Sequence, residues 1–306
     1  MIPSAQLTPR ATLFALITVV TWGLNFIAVF IGLKVLPPLL FLALRFFFAA
    51  VPFVFFMPRP KAKFVHLLLF GLFNFVLQFG FMFTGLALGL SPGLASLVVQ
   101  VQVFISMGLA FLFFGEKSSL LKVIGSVISF AGIVLVAFYV EGNATIWGFV
   151  FTLLAALSWA LGNIFTKKIN TDHPLSLVVW GNLIALPFMT VASLVIEGPD
   201  KIALAFSQIS WQTVGALVYT VYFSTHVAYG LWAYLLKNFA TSAVVPYTLL
   251  IPVVGFLSSA LFLGEELFLW KLWASLLIMS GLIFNLLEKK ILKFFGKEKK
   301  YKTTTK

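Results

Sequence analysis

Apolar residues run along this chain in blocks long enough to cross a bilayer, and short polar clusters separate the blocks. Residues 11–31 are almost unbroken, and comparable blocks recur through the sequence. A hydrocarbon core of roughly 30 Å takes about 20 residues of helix. On that measure the pattern predicts ten transmembrane helices, at 11–32, 38–57, 65–86, 92–114, 120–139, 146–166, 175–196, 211–236, 240–262 and 268–287. The linkers are a few residues each. Only 197–210 is long enough to lie along a surface, and no stretch is free to form a soluble domain. The first block has no small-residue cleavage site after it, so it reads as a retained span and not as a signal peptide.

Composition agrees with lipid as the solvent. Apolar types make up 61% and charged types 10%, with a mean hydropathy of +1.07. A soluble domain carries about a quarter charged residues. The net charge of +12 could suggest a nucleic-acid partner, but the charges sit in the short linkers and at the C-terminus. Ten spans put both termini on one side. That side holds 17 of the 21 basic residues: Arg10, Arg59, Lys61, Lys63, Lys117, Lys122, Lys167, Lys168, Lys237 and eight after Leu287. The other side holds Lys34, Lys201 and Lys271, and Arg45 lies inside a span. The positive-inside bias therefore predicts cytoplasmic termini, a bilayer partner and no nucleic acid. It also favours ten spans, because dropping one would scatter the basic linkers over both faces. With no cysteine, disulfide and thiolate chemistry are excluded.

The chain also repeats itself. Leu112-Phe113-Phe114-Gly115-Glu116, followed by Lys122, Ser126 and Gly132, aligns with Leu261-Phe262-Leu263-Gly264-Glu265, followed by Lys271, Ser275 and Gly281, at an offset of 149. Trp22, Leu24 and Pro37 align with Trp159, Leu161 and Pro174 at an offset of 137, and the long linker accounts for much of the difference. The expected organisation is a first repeat over 11–139, a second over 146–287 and a basic cytoplasmic tail over 288–306. Five spans per repeat invert the second half relative to the first. Transporters use inverted repeats to build two exchangeable states around a site between the halves.

Several of these stretches carry a family resemblance. They are Thr21-Trp22-Gly23-Leu24-Asn25-Phe26, Leu44-Arg45-Phe46, Gly93-Leu94-Ala95-Ser96-Leu97 with Gln100-Val101-Gln102, Ser158-Trp159-Ala160-Leu161-Gly162-Asn163-Ile164-Phe165, and Pro252-Val253-Val254-Gly255. Together with Phe113-Phe114-Gly115-Glu116 they resemble the EamA family of the drug/metabolite transporter superfamily, over essentially the whole apolar region. The resemblance implies an all-α polytopic fold of ten helices in two inverted five-helix repeats. It also implies a bacterial inner-membrane location and export of small amino-acid metabolites such as O-acetylserine and cysteine. Other members of the superfamily carry other solutes, so a lipophilic drug or a nucleotide-linked metabolite is the alternative cargo.

Polar side chains inside the spans are the candidate chemistry, because each must face a partner helix or a water-filled cavity. Arg45 lies seven residues past Pro38, about 10 Å into its span. No Asp or Glu lies in a span to neutralise it. It either binds a substrate carboxylate bidentately, or it snorkels outward or caps carbonyls of a neighbouring helix. Its repeat mate is Asn182, so the charge occurs in one half only. Asn74 and Gln78, four apart, share a helix face and either line a cavity or join helices. Gln100 and Gln102 are two apart, so a regular helix aims only one of them at a cavity.

Asn25 and Asn163 follow the paired Trp22 and Trp159. The expected site comprises Arg45, Asn74, Gln78, Gln100, Asn163, Asn182 and Tyr229, while Trp22, Asn25 and Trp159 are structural. Tyr222, His226 and Tyr229 share one helix face, and His226 is a candidate proton-coupling residue that lacks a membrane carboxylate to work with. Glu116 and Glu265 precede helix starts, where an acid stabilises the amide end, and they read as structural caps.

The sequence carries no metal-ligand spacing, phosphate loop or catalytic set, so the reading calls for no metal, no cofactor and no enzyme activity. A receptor or membrane enzyme would need paired acids or histidines in the spans, or a soluble sensing domain. Internal two-fold symmetry makes a monomer sufficient and leaves a dimer open.

Overall fold

A computed structural model describes residues 7–114, 120–139, 143–169, 171, 173–238, 247–248, 250–266 and 268–286. Among them there is no strand, and helices occupy each of the ten expected segments. Spans 1 and 2 are Pro9–Leu33 and Pro38–Val54, span 3 is Phe64–Ala87, and span 4 covers 92–114. Spans 5 and 6 are Leu120–Tyr139 and Asn143–Ile169. Span 7 is Pro174–Glu197 and span 8 covers 211–238. Spans 9 and 10 include Leu250–Leu263 and Leu269–Leu286. A short helix, Pro199–Ser207, occupies the long linker. The expected tail and Glu116 lie outside the described residues.

The helix ends follow from local chemistry. Thr8 and Ser91 accept from the amides of Ala11 and Leu94, and proline opens spans 1, 2, 4 and 7 where its missing N–H costs nothing. Gly89, at φ +98°, turns the chain between spans 3 and 4 in a conformation that other residues resist.

The two halves interleave. Span 2 packs along span 7, and span 5 along span 10, so repeat mates meet each other directly. Span 3 lies on span 6, span 4 on span 9, and span 1 on spans 8 and 9. Phe41, Phe46, Phe75 and Phe83 fill the interior, whereas Phe55, Phe56, Phe138 and Leu261 face outward, as a lipid-facing surface requires. Spans 1, 3 and 7 and the segment Ile146–Thr166 of span 6 are each long and apolar enough to cross a bilayer.

Regular helix gives way at four places among the described residues, one of them the i→i+5 end of span 7 over Ser193–Glu197. Span 3 widens to an i→i+5 pattern over Leu72–Leu77, and span 8 does so over Tyr219–Ala228. Shifted by the 149 residues that align the later spans of the repeats, the first stretch falls at 221–226, inside the second. The widening is therefore a property of both repeats. Span 4 tightens to a 3₁₀ turn over Val99–Val101. Such interruptions in a helix recur at functional sites.

Candidate functional site

A cavity of about 60 Å³ lies between the halves. Spans 1, 3 and 4 line it from the first half, and spans 6, 8 and 9 from the second. Those are three pairs of repeat mates, so the cavity sits on the internal symmetry axis. One water needs about 10–15 Å³ on this measure, so the space suits a solute of several heavy atoms. The paired Trp22 and Trp159 both line it. Trp22 packs edge-on against Tyr229 at 5.1 Å, and its indole nitrogen donates to the Ser224 carbonyl in the widened part of span 8 at 3.3 Å.

Three cavity-lining amides hold a buried oxygen without a partner: Asn25 Oδ1, Gln78 Oε1 and Gln100 Oε1. Gln100 is only 1% exposed, and its Nε2 donates to the Thr248 carbonyl at 3.2 Å. The 3₁₀ turn tightens the helix between the two glutamines. Gln100 faces the cavity, while Gln102 accepts from Asn163 Nδ2 at 3.4 Å and from Ser106 at 3.3 Å.

The other expected site residues lie elsewhere. Asn163 is bound to Gln102 and does not line the cavity. Asn182 turns back to its own helix, donating to the Val178 carbonyl at 2.8 Å. Asn74 and Gln78 do not share a cavity face as a regular helix would have them do. The i→i+5 stretch between them turns Asn74 onto Gly162 of span 6 and leaves Gln78 on the cavity. Asn25, expected to be structural, lines the cavity.

Arg45 is buried and is not a lining residue. Its Nη2 and Nε donate to Thr225 Oγ1 at 3.0 and 3.3 Å, and its guanidinium lies 4.1 Å from the centre of the Phe79 ring. Thr225 in turn donates to the Thr220 carbonyl, an i−5 bond that the widened helix permits. Arg45 Nη1 has no partner. Phe79 and the neighbouring Phe83 both line the cavity, so the charge sits against the rings that form its wall.

His226 does not line the cavity either. Its Nδ1 lies 3.0 Å from the Val221 carbonyl and its Nε2 3.0 Å from the Ala49 carbonyl of span 2, and its ring lies against Phe53 at 4.2 Å. Pro52, which lacks an N–H, lies inside span 2 near this contact.

Glu265 does more than precede a helix. From the turn between spans 9 and 10 it crosses to the start of span 4. There it accepts from Ser91 Oγ at 2.5 Å and from the Gly93 amide at 3.3 Å, while Ser259 Oγ and Lys271 Nζ, the latter at 3.0 Å, bind it from its own half. Burial alone would raise its carboxyl pKa. The hydrogen bonds from Ser259, Ser91 and Lys271, with the Lys271 charge, outweigh burial and hold it below the ordinary range. Gly93 has no side chain to block the approach, since a Cβ there would lie 3.0 Å from the carboxylate.

Glu197, at the end of span 7, makes a parallel contact. It accepts from the Leu39 and Leu40 amides at the start of span 2, at 2.7 and 2.9 Å, and from Ser193. Sequence reasoning missed Glu197, Thr225, Phe79 and Phe83. Phe79 and Phe83 are two of 36 phenylalanines in the chain, and no local pattern marks a carboxylate whose partner lies some 160 residues away.

A model described as "EamA-like transporter family" matches residues 9–138 and again 146–287. Proteins of Salmonella typhimurium and Escherichia coli K12, each named "Probable amino-acid metabolite efflux pump", are 42% and 40% identical to the chain. Each alignment covers 89% of this chain and 93% of the relative. An uncharacterized transporter of Bacillus subtilis is 29% identical, over 89% of this chain and 90% of its own. A solved crystal structure superposes with a TM-score of 0.66 at 17% identity, covering 93% of this chain and 99% of the other, and shares the fold.

Proposed function

The chain belongs to the EamA-like transporter family, a multi-pass membrane protein, and on that premise we propose that it is a secondary exporter of small amino-acid metabolites of the O-acetylserine and cysteine kind. The observation that carries this reading is the cavity between the repeats, small, aromatic-walled and fitted with three unpartnered amide oxygens. The names of the two most similar bacterial relatives described above support the same cargo.

The solute binds between the halves and access alternates by rocking of one half against the other. The bias of basic residues toward one face supports a bacterial inner-membrane protein with both termini in the cytoplasm. Arg45 supplies positive potential behind Phe79 and Phe83, and its free Nη1 is the group that meets a substrate carboxylate when those rings move. Trp22, Trp159 and Tyr229 form the wall around the rest of the solute. A single chain contains the whole site.

The test is export from a bacterial host overexpressing the chain, with cysteine, O-acetylserine and related amino acids assayed in the medium. Accumulation of these compounds above the empty-vector control is the expected result. Membrane-localised protein with no accumulation overturns the proposal and moves the cargo to lipophilic or nucleotide-linked solutes.

A further inference from the structure

Buried polar atoms normally have partners, so those that lack one record what the site is waiting for. Three of the unpartnered atoms in this protein lie on one cavity, and all three are acceptors: Gln100 Oε1, Gln78 Oε1 and Asn25 Oδ1. For Gln100 the assignment follows from its other end. A backbone carbonyl can only accept, so the amide group facing Thr248 must be NH₂ and the oxygen must face the cavity. Gln100 and Gln78 are 1% and 5% exposed, so bulk water does not serve these oxygens.

The chemistry of the missing partner follows by counting donors. A carboxylate carries acceptors alone and serves none of them. A hydroxyl or a thiol brings one donor. A primary ammonium brings three. The walls agree, since Trp22, Trp159 and Tyr229 line the cavity and aromatic rings can attract a cation over their faces. None of the lining residues is charged. The cation is therefore held by dipoles and rings and leaves without separating from a counter-ion.

We propose that this cavity selects its cargo by the primary ammonium group, which Gln100, Gln78 and Asn25 bind through their amide oxygens beside Trp22, Trp159 and Tyr229. The inference rests on the reading of the protein as an exporter of amino-acid metabolites and adds the group that is recognised. Compounds with a free amine bind in this cavity whether or not their carboxylate is masked, since a carboxylate meets Arg45 only later, when Phe79 and Phe83 move, and N-acylated or deaminated analogues are rejected.

The experiment uses the full-length protein purified and reconstituted in liposomes loaded with L-cysteine under reducing conditions. Counterflow of labelled L-cysteine is competed with L-cysteine methyl ester, N-acetyl-L-cysteine and 3-mercaptopropionate. The methyl ester is expected to compete within a few-fold of cysteine itself. The N-acetyl and deaminated compounds are expected to be weaker by tenfold or more. In Gln100→Leu the half-saturation concentration for cysteine should rise tenfold or more. The competition series needs no variant and decides the question if Gln100→Leu does not fold. Cysteine counterflow with N-acetyl-L-cysteine competing as well as cysteine overturns ammonium recognition and leaves the exporter reading standing. Folded protein that carries neither cysteine nor O-acetylserine overturns both.

Discussion

Ser91, at the start of span 4, donates its hydroxyl at 2.5 Å to Glu265, a residue 174 positions later in the other half of the protein. The same carboxylate takes the Gly93 amide and the Lys271 ammonium. One side chain thus caps a helix, pairs a buried cation and joins the two repeats. In Glu265→Gln the ion pair and its charge are lost, and a loss of about 1–3 kcal/mol in stability is expected, read as a lower thermal unfolding midpoint in detergent. The pH dependence follows from the lowered carboxyl. Its stabilisation is fully present above the ordinary value of 4.5 and is lost as pH falls below that through the folded-state value. Wild-type protein should lose thermal stability over that acid range more steeply than Glu265→Gln. Parallel curves for the two proteins would remove this role.

Arg45 holds Thr225 with two nitrogens and lies on the Phe79 ring. Arg45→Ala should cut export tenfold or more, equivalent to about 1.4 kcal/mol, with the protein still present in the membrane. Arg45→Lys should not restore transport, because a point charge on a flexible stem cannot form the fork and the stack together. Undiminished export in Arg45→Ala, measured beside membrane immunoblots, would remove Arg45 from the mechanism.

His226 ties span 8 to span 2 with both ring nitrogens on carbonyl oxygens and stands apart from the cavity. His226→Phe keeps a ring against Phe53 and deletes both polar contacts. The expected outcome is a stability loss of about 1–3 kcal/mol with the pH profile of transport retained. A flattened pH profile in this variant would instead make His226 part of proton coupling.

Gly162 leaves room for Asn74, whose Nδ2 would collide with a Cβ at that position. Gly162→Ala should cost about 1–3 kcal/mol through overpacking of spans 3 and 6. Adding Asn74→Ala should recover part of it, because the two positions share one contact and are not independent. Thermal unfolding of the two single variants and the double variant measures the coupling. Additive losses would show that the clash is relieved elsewhere.

The spans could be read from the sequence because lipid demands long apolar runs, and the observed helices fall on the expected segments with ends shifted by a few residues. The family could be read because polar and glycine positions repeat with the apolar ones. Which polar groups meet was much less legible. The spacing of Asn74 and Gln78 implied one face, but the i→i+5 stretch over Leu72–Leu77 separates them, and nothing in Leu-Phe-Asn-Phe-Val-Leu signals that widening. Gln100 and Gln102 were separable in principle, since two positions apart means two directions on a helix. The partners of Arg45 and Glu265 come from other spans, chosen by tertiary packing, which local pattern does not encode.

Glu197 and Glu265 both belong to the second half, and each grips the first turn of a helix in the first half. Alternation of the spans puts both contacts at the same end of the molecule. Opening that end strips backbone amides from two carboxylates at once, whereas opening the opposite end disturbs neither contact. The two contacts therefore latch that end as a pair, and the halves cannot part there without releasing both.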